Sequence, residues 1–399
     1  MTAASYDFDR LIDRRSTNSL KWRRYEADVL PLWVADMDFS APPPVLEALR
    51  QAVEHGVFGY AAPTVELAET VAGRMQRLYG WRVTPEMVVA TPGVVSAFAA
   101  AARAVCQPGQ GILIQPPIYP PFLSVHATAG LVRQDAPLVQ VSHSQYVEYE
   151  IDWEIFDRAF RAGGVSTGMF LLCNPHNPTG QIYSPQDLGR MADLCLRHGA
   201  LICSDEIHSE LLLGGSRHTP IAALDPAIAA RTITLIAPSK TFNIAGLFCG
   251  FAIIPDEDLR IRYRKALEMM TLHVNSLGLV AAQAAFSGAC DDWLVALNRY
   301  LTANRDDLAD FVGRRLPGVR TTFPSATYLA WLDCTDLIRT GRIQGSPHQF
   351  FLQQARVALN EGAEFGPGGE GFVRLNFGCP RVTLTEALER MAGALDDLE

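Results

Sequence analysis

GMFLLCNPHNPTG (168–180), ALICSDEIH (200–208) and TITLIAPSKTFN (232–243) share one design: an apolar run that stops abruptly at polar, chemically versatile residues. Short, nearly continuous apolar runs ended by turn-forming residues predict strands buried on both faces. SPQDLGRMADLCLRHG (184–199), between the first two, carries a helical pattern. Strands alternating with helices predict an α/β fold around a mostly parallel sheet. Ligands of such sheets collect beyond the carboxyl ends of the strands. Those ends here carry the amide of Asn177, the carboxylate of Asp205 and the amine of Lys240.

Working outward, EMVVATPG (86–93) leads into the helical VVSAFAAAARAVC (94–106), and GILIQPP (111–117) reads as a strand with a proline stop. VLEALRQAVEHG (45–56) predicts a helix ending at Gly56, and the prolines at 42–44 are expected to break structure before it. Beyond about residue 290 the pattern changes. A long helix over 291–317, the strands ATYLAWLDC (326–334) and GFVRLNFGC (371–379), and a last helix from 383 predict a smaller α+β domain. The expected plan is an N-terminal segment (1–45) packing with the small domain, a large domain (46–288) and a small C-terminal domain (289–399). GPGGEGF (366–372) does not lie between a strand and a helix, as a dinucleotide fingerprint must, and reads as a turn before the strand carrying Arg374.

Composition sets bounds on function. The chain has 399 residues, 48% hydrophobic and 19% charged, with a net charge of −9. That is globular composition, long enough for two domains, and the acidic balance excludes a general nucleic-acid binder. No apolar run reaches the roughly 20 residues that span a bilayer, and the N-terminus lacks the features of a signal peptide. The eight cysteines form no C-x-x-C pair. They read as reduced, buried thiols of a cytoplasmic protein with no metal site.

A lysine at a strand end is ordinarily a solvated charge. Desolvated, its amine stays unprotonated and nucleophilic, as Schiff-base chemistry requires. Asp205 reads either as a turn residue or as an anion that keeps a pyridine nitrogen protonated. Asn177 reads either as a turn residue before Pro178 or as a donor to a ring oxygen.

NPHNPTG, SDEIH, SKTFN and RLNF occur in that order, as they do in the aspartate aminotransferase superfamily of pyridoxal 5'-phosphate (PLP) enzymes of fold type I, which the chain resembles. RRSTNSLKW (14–22), LWVADMDF (32–39), HGVFGY (55–60) and APSKTFNIAGL (237–247) are similar to the MalY/PatB-type cystathionine β-lyase group. The resemblance covers nearly the whole chain. It implies that Lys240 carries the Schiff base with PLP and shuttles the Cα proton, that Asp205 pairs with the pyridinium nitrogen, and that Asn177 binds the ring O3'. Tyr119 is expected to stack on the ring, and Ser239 with the amides of Val94 and Val95 to hold the phosphate. His208 is expected near O3', where many aminotransferases have Tyr. Tyr60 is expected to reach the phosphate of a second subunit, which implies a homodimer. Arg374 and Ala35 are expected at the substrate, Arg374 gripping its carboxylate. His176 reads as structural.

Two residues depart from the group: Pro120 stands where many relatives have a second Tyr, and Arg23 where an acid is common. Both leave the cofactor residues intact and bear on the substrate. The implied reaction is β-elimination from a cysteine S-conjugate or cystathionine-like amino acid. Transamination, and decarboxylation or oxidative deamination of an S-cysteinyl compound, use the same residues and stay open. A regulatory binding protein with a vestigial site is disfavoured, because lysine, acid, amide and arginine are all present.

Overall fold

The structure is a computed structural model that describes residues 6–141 and 146–398. Seven strands form the central sheet: β1 (Val88–Thr91), β2 (Gly111–Ile114), β3 (Val132–Asp135), β4 (Thr167–Cys173), β5 (Leu201–Asp205), β6 (Thr232–Ile236) and β7 (Gly250–Ile253). Their spatial order is β1-β7-β6-β5-β4-β2-β3. Only β7 runs antiparallel to its neighbours, so the other six point their carboxyl ends to one edge.

Every residue of β4, β5 and β6 is buried. The period of two along β4 explains how. Met169, Leu171 and Cys173 enter the layer formed with the helices Val94–Val105 and Glu257–Met269. Phe170 and Leu172 enter the opposite layer, under Trp153–Ala159 and Pro185–His198. Within these covered strands the polar residues are small hydroxyls (Thr167, Ser204, Thr232, Thr234), and the carboxylate, amine and amide come only at or beyond the strand ends.

A second, antiparallel sheet follows: β8 (Arg320–Thr321), β9 (Leu329–Asp333), β10 (Asn360–Glu361) and β11 (Phe372–Asn376), in the order β8-β9-β11-β10. It packs with the helices Asp291–Arg315 and Arg381–Asp396 in a core continuous with residues of the N-terminal segment, Phe8, Leu32, Met37 and Phe39. Leu30–Pro31 pairs in parallel with Val357–Ala358, stitching that segment to the C-terminal part.

The prolines at 42–44 do not break structure. Pro42 caps the helix Pro43–His55, and Pro43 and Pro44 form its first turn, where no amide donor is needed and a fixed φ suits the helix. Gly56 ends it in the left-handed conformation, φ 74°.

Candidate active site

The edge where the parallel strands end opens into one cavity of about 470 Å³. β4 delivers Asn177 on the loop after Cys173, β5 ends in Asp205, and β6 leads into the short helix Pro238–Thr241 that carries Ser239 and Lys240. These three strands are adjacent and parallel, which alone brings amide, carboxylate and amine together. All four residues line the cavity, with Ala35, Tyr119, His208, Val94 and Val95.

The helix Val94–Val105 starts at the cavity after Gly93, which has φ 105° and ψ 162°. The first amides of a helix lack acceptors within it, and their dipoles favour an anion. A Cβ on Gly93 would meet no atom within 4 Å, so its absence leaves open space beside those amides. A phosphate fits this end of the cavity.

Burial governs the charges. It pushes the Lys240 amine down to about 8, helped by Arg374 and opposed by Asp36 and Asp205. It pushes the Asp205 carboxyl up to about 7, against the Ile207 amide and the Lys240 charge. It pushes His208 down to about 3, so this imidazole is neutral at physiological pH. His208 packs edge-on against Tyr328 at 6.0 Å, and its Nδ1 has no hydrogen-bond partner among the described residues.

Arg374, on β11, is buried just behind the lining. Its guanidinium donates to Asn177 Oδ1 at 2.9 Å, to the Trp33 carbonyl at 3.0 Å and to Asn360 Oδ1. Its Nε has no partner among the described residues. With Asn177 Oδ1 accepting from Arg374, the amide Nδ2 remains as the donor of this side chain. Tyr60 is the exception to this convergence: it lies on the exposed stretch 56–64, outside any helix or strand, and does not line the cavity. His176 is buried and bonded to Thr179 at 2.9 Å, a loop-bracing contact.

The sequence pointed to Ala35 at the substrate but not to how the backbone at 33–39 meets Lys240. The Ala35 carbonyl accepts from Lys240 Nζ at 2.6 Å and from the Tyr328 hydroxyl at 2.9 Å. Asn376 Nδ2 bridges the flanking carbonyls of Val34 and Asp36, both at 2.7 Å. Asn243 holds Met37 and Phe39. LWVADMDF and RLNF marked both segments, but main-chain contacts leave no side-chain signature that would have found Tyr328 or Asn243.

A buried lysine and carboxylate at adjoining strand ends, with a helix N-terminus facing them, define the aspartate aminotransferase-like architecture of fold type I. The sequence profile for aminotransferases of class I and II matches residues 27–391. The chain belongs to that family. It is 40% identical over 395 residues to the cystathionine β-lyase PatB of Bacillus subtilis (strain 168), covering 98% of this chain and 100% of PatB. The crystal structure of OvoB superposes with a TM-score of 0.90 at 41% identity, covering 98% of this chain and 99% of that one. The PLP-bound C-S lyase of Staphylococcus hominis does so with a TM-score of 0.90 at 32% identity, again covering 98% and 99%.

Proposed function

We propose that the protein is a PLP-dependent carbon–sulfur β-lyase that converts a cysteine S-conjugate or cystathionine-like amino acid, with one water, to a thiol, pyruvate and ammonia. The observation that carries this is the buried Lys240 amine sharing one cavity with Asp205 and Asn177, with the Arg374 guanidinium immediately behind. The full-length likeness to a cystathionine β-lyase and a C-S lyase supports elimination over transamination.

The cavity's donors fit the cofactor. The amides of Val94 and Val95 and the Ser239 hydroxyl would hold its phosphate, Asp205 its ring nitrogen, Asn177 Nδ2 its ring oxygen, and Tyr119 its ring face. When bound, PLP supplies an aldehyde for amines and a protonated ring that accepts the electron pair left at Cα. Arg374 would receive the substrate carboxylate through its open Nε edge, which fixes which bond at Cα faces Lys240. Lys240 takes the Cα proton, since burial keeps a share of its amine unprotonated near neutral pH. The Ala35 carbonyl then accepts a hydrogen bond from the protonated amine. The thiolate leaves from Cβ with the electron pair, and the enamine product takes up water to give pyruvate and ammonia. His208, neutral and buried, adds no charge that would compete with Asp205.

Val57, Phe58, Tyr60 and Val65 are exposed apolar residues on or beside one irregular stretch. We assign this stretch to a homodimer contact that brings Tyr60 to the second subunit's phosphate site. Eight buried, unpaired thiols support a reducing compartment, the cytoplasm. Among the described residues no helix is long and apolar enough to cross a membrane.

The test is incubation of purified protein with PLP and S-alkylcysteines. Pyruvate and free thiol in equal amounts, with borohydride fixing the cofactor to Lys240, support the lyase. A keto acid formed only with an added acceptor would establish a transferase, and CO2 release a decarboxylase. A protein that stays colourless with PLP and unlabelled at Lys240 sinks the reading.

A further inference from the structure

Lys21 is fully buried in the short helix Leu20–Arg23, close to the cavity but not part of its lining. Its ammonium donates to Asp38 Oδ2 at 2.8 Å and to the Asp36 carbonyl at 3.1 Å, and lies 3.9 Å from Asp36 Oδ1. Arg14 engages the same two acids, at 2.6 Å from Asp36 and 2.5 Å from Asp38, and also donates to the Met37 carbonyl. Trp22 Nε1 donates to Asp38 at 2.7 Å. Two cations from 14–21 thus balance two carboxylates of the loop 33–39. That loop presents the Ala35 carbonyl to Lys240, and Asp36 lines the cavity beside it.

Stability alone does not explain a lysine here. A buried ion pair roughly breaks even against apolar residues of the same volume, and a methionine would fill the space of the Lys21 stem. The ammonium does two things that methionine could not. It holds the Asp36 carbonyl, next along the backbone from the Ala35 carbonyl, and it offsets negative charge on the Asp36–Asp38 pair, of which Asp36 acts on the reactive amine.

We propose that Lys21 is a positioning residue for Lys240: together with Arg14 it keeps the Asp36–Asp38 pair charge-neutral and holds the backbone that carries the Ala35 acceptor. The proposal rests on the reading of Lys240 as the reactive amine. The other groups facing Lys240 are Asp205 at the end of β5, Arg374 on β11, the neutral His208, and the hydroxyls of Tyr119 and Tyr328. Asp36 and Asp205 favour the protonated amine and Arg374 opposes it. Removing the Lys21 charge leaves Asp36 and Asp38 with one cation between them. The uncompensated charge then holds Lys240 protonated to higher pH.

The experiment uses Lys21→Met, Lys21→Arg, Asp38→Asn and the double variant Lys21→Met/Asp38→Asn. Acetylation of Lys240 in the full-length apoprotein is followed against pH by peptide mass spectrometry, a readout independent of turnover. The wild-type midpoint is expected near 8. Lys21→Met should raise it by on the order of one pH unit, the effect of one unit charge about 12 Å away in a medium of effective dielectric near 20. Lys21→Arg should restore it, Asp38→Asn should lower it, and the double variant should return it towards wild type. If Lys21→Met does not fold, Asp38→Asn and the double variant decide by the same signs. Midpoints that do not move, or that move alike in Lys21→Met and Asp38→Asn, overturn the proposal. Loss of borohydride labelling at Lys240 in wild type would instead overturn the underlying reading of the amine.

Discussion

Replacing Asp205 by Asn should make the cofactor-free protein more stable, and increasingly so as pH rises. Asp205 is 5% exposed, and burial raises its carboxyl from 3.8 to about 7. A carboxyl raised on folding contributes most stability below its unfolded value and loses it as pH climbs through the folded one. A tenfold change in proton affinity corresponds to about 1.4 kcal/mol. The ionised side chain therefore costs about 4 kcal/mol at pH 8 but only about 2 kcal/mol at pH 5, where it is still mostly protonated in the fold. Asparagine has nearly the same shape, stays neutral, and can still accept the Ile207 amide bond that Asp205 Oδ1 makes at 3.1 Å. The stability gap between variant and wild type should widen by roughly 2–3 kcal/mol from pH 5 to pH 8, or about 3 °C in Tm for a chain of this size. Thermal unfolding of both apoproteins at several pH values measures it. With PLP the order should reverse, because the variant lacks the anion proposed to meet the ring nitrogen. A gap independent of pH, or an apo wild type more stable than the variant at pH 8, would refute the idea that Asp205 is held at a cost to the fold.

Two further outcomes follow from geometry. Gly93→Ala should weaken PLP binding about tenfold, measured by fluorescence titration, because φ 105° with ψ 162° is a conformation left almost wholly to glycine and costs other residues about 1–3 kcal/mol; unchanged affinity would remove the helix 94–105 from the phosphate site. Arg374→Lys should lower kcat/KM on the order of 100-fold, mainly through KM, while the cofactor absorbance persists, since an ammonium cannot reproduce a planar fork. A fall confined to kcat would argue that Arg374 does not hold the substrate carboxylate.

Much of this site was legible because β4, β5 and β6 are covered on both faces. Phe170 and Leu172 must be apolar on one side and Met169 and Leu171 on the other, so the polar residues that follow each run mark the edge where chemistry is possible. Asn177, Asp205 and Lys240 stand out for that reason. The reversed direction of β7 was not legible because an antiparallel strand buried in a parallel sheet has the same apolar pattern as its neighbours. The hairpin strands Leu138–Val141 and Glu148–Ile151 escaped notice because half-exposed residues blur their period. The prolines at 42–44 misled because a residue type that ends a helix from within also begins one.

The sequence by itself determined the alternation of strands and helices, the residues at the strand tips, and the reactive groups they offer, because apolar periodicity and side-chain chemistry are local properties. Tertiary structure decided what those groups experience. Lys240 is seated on the Ala35 carbonyl, 205 residues away in the chain, and Arg374 on Asn177, 197 residues away. Lys21 in RRSTNSLKW looks like any surface lysine until folding buries it against Asp38. Desolvation and charge balance depend on what surrounds a group in space, and chain order does not specify those surroundings.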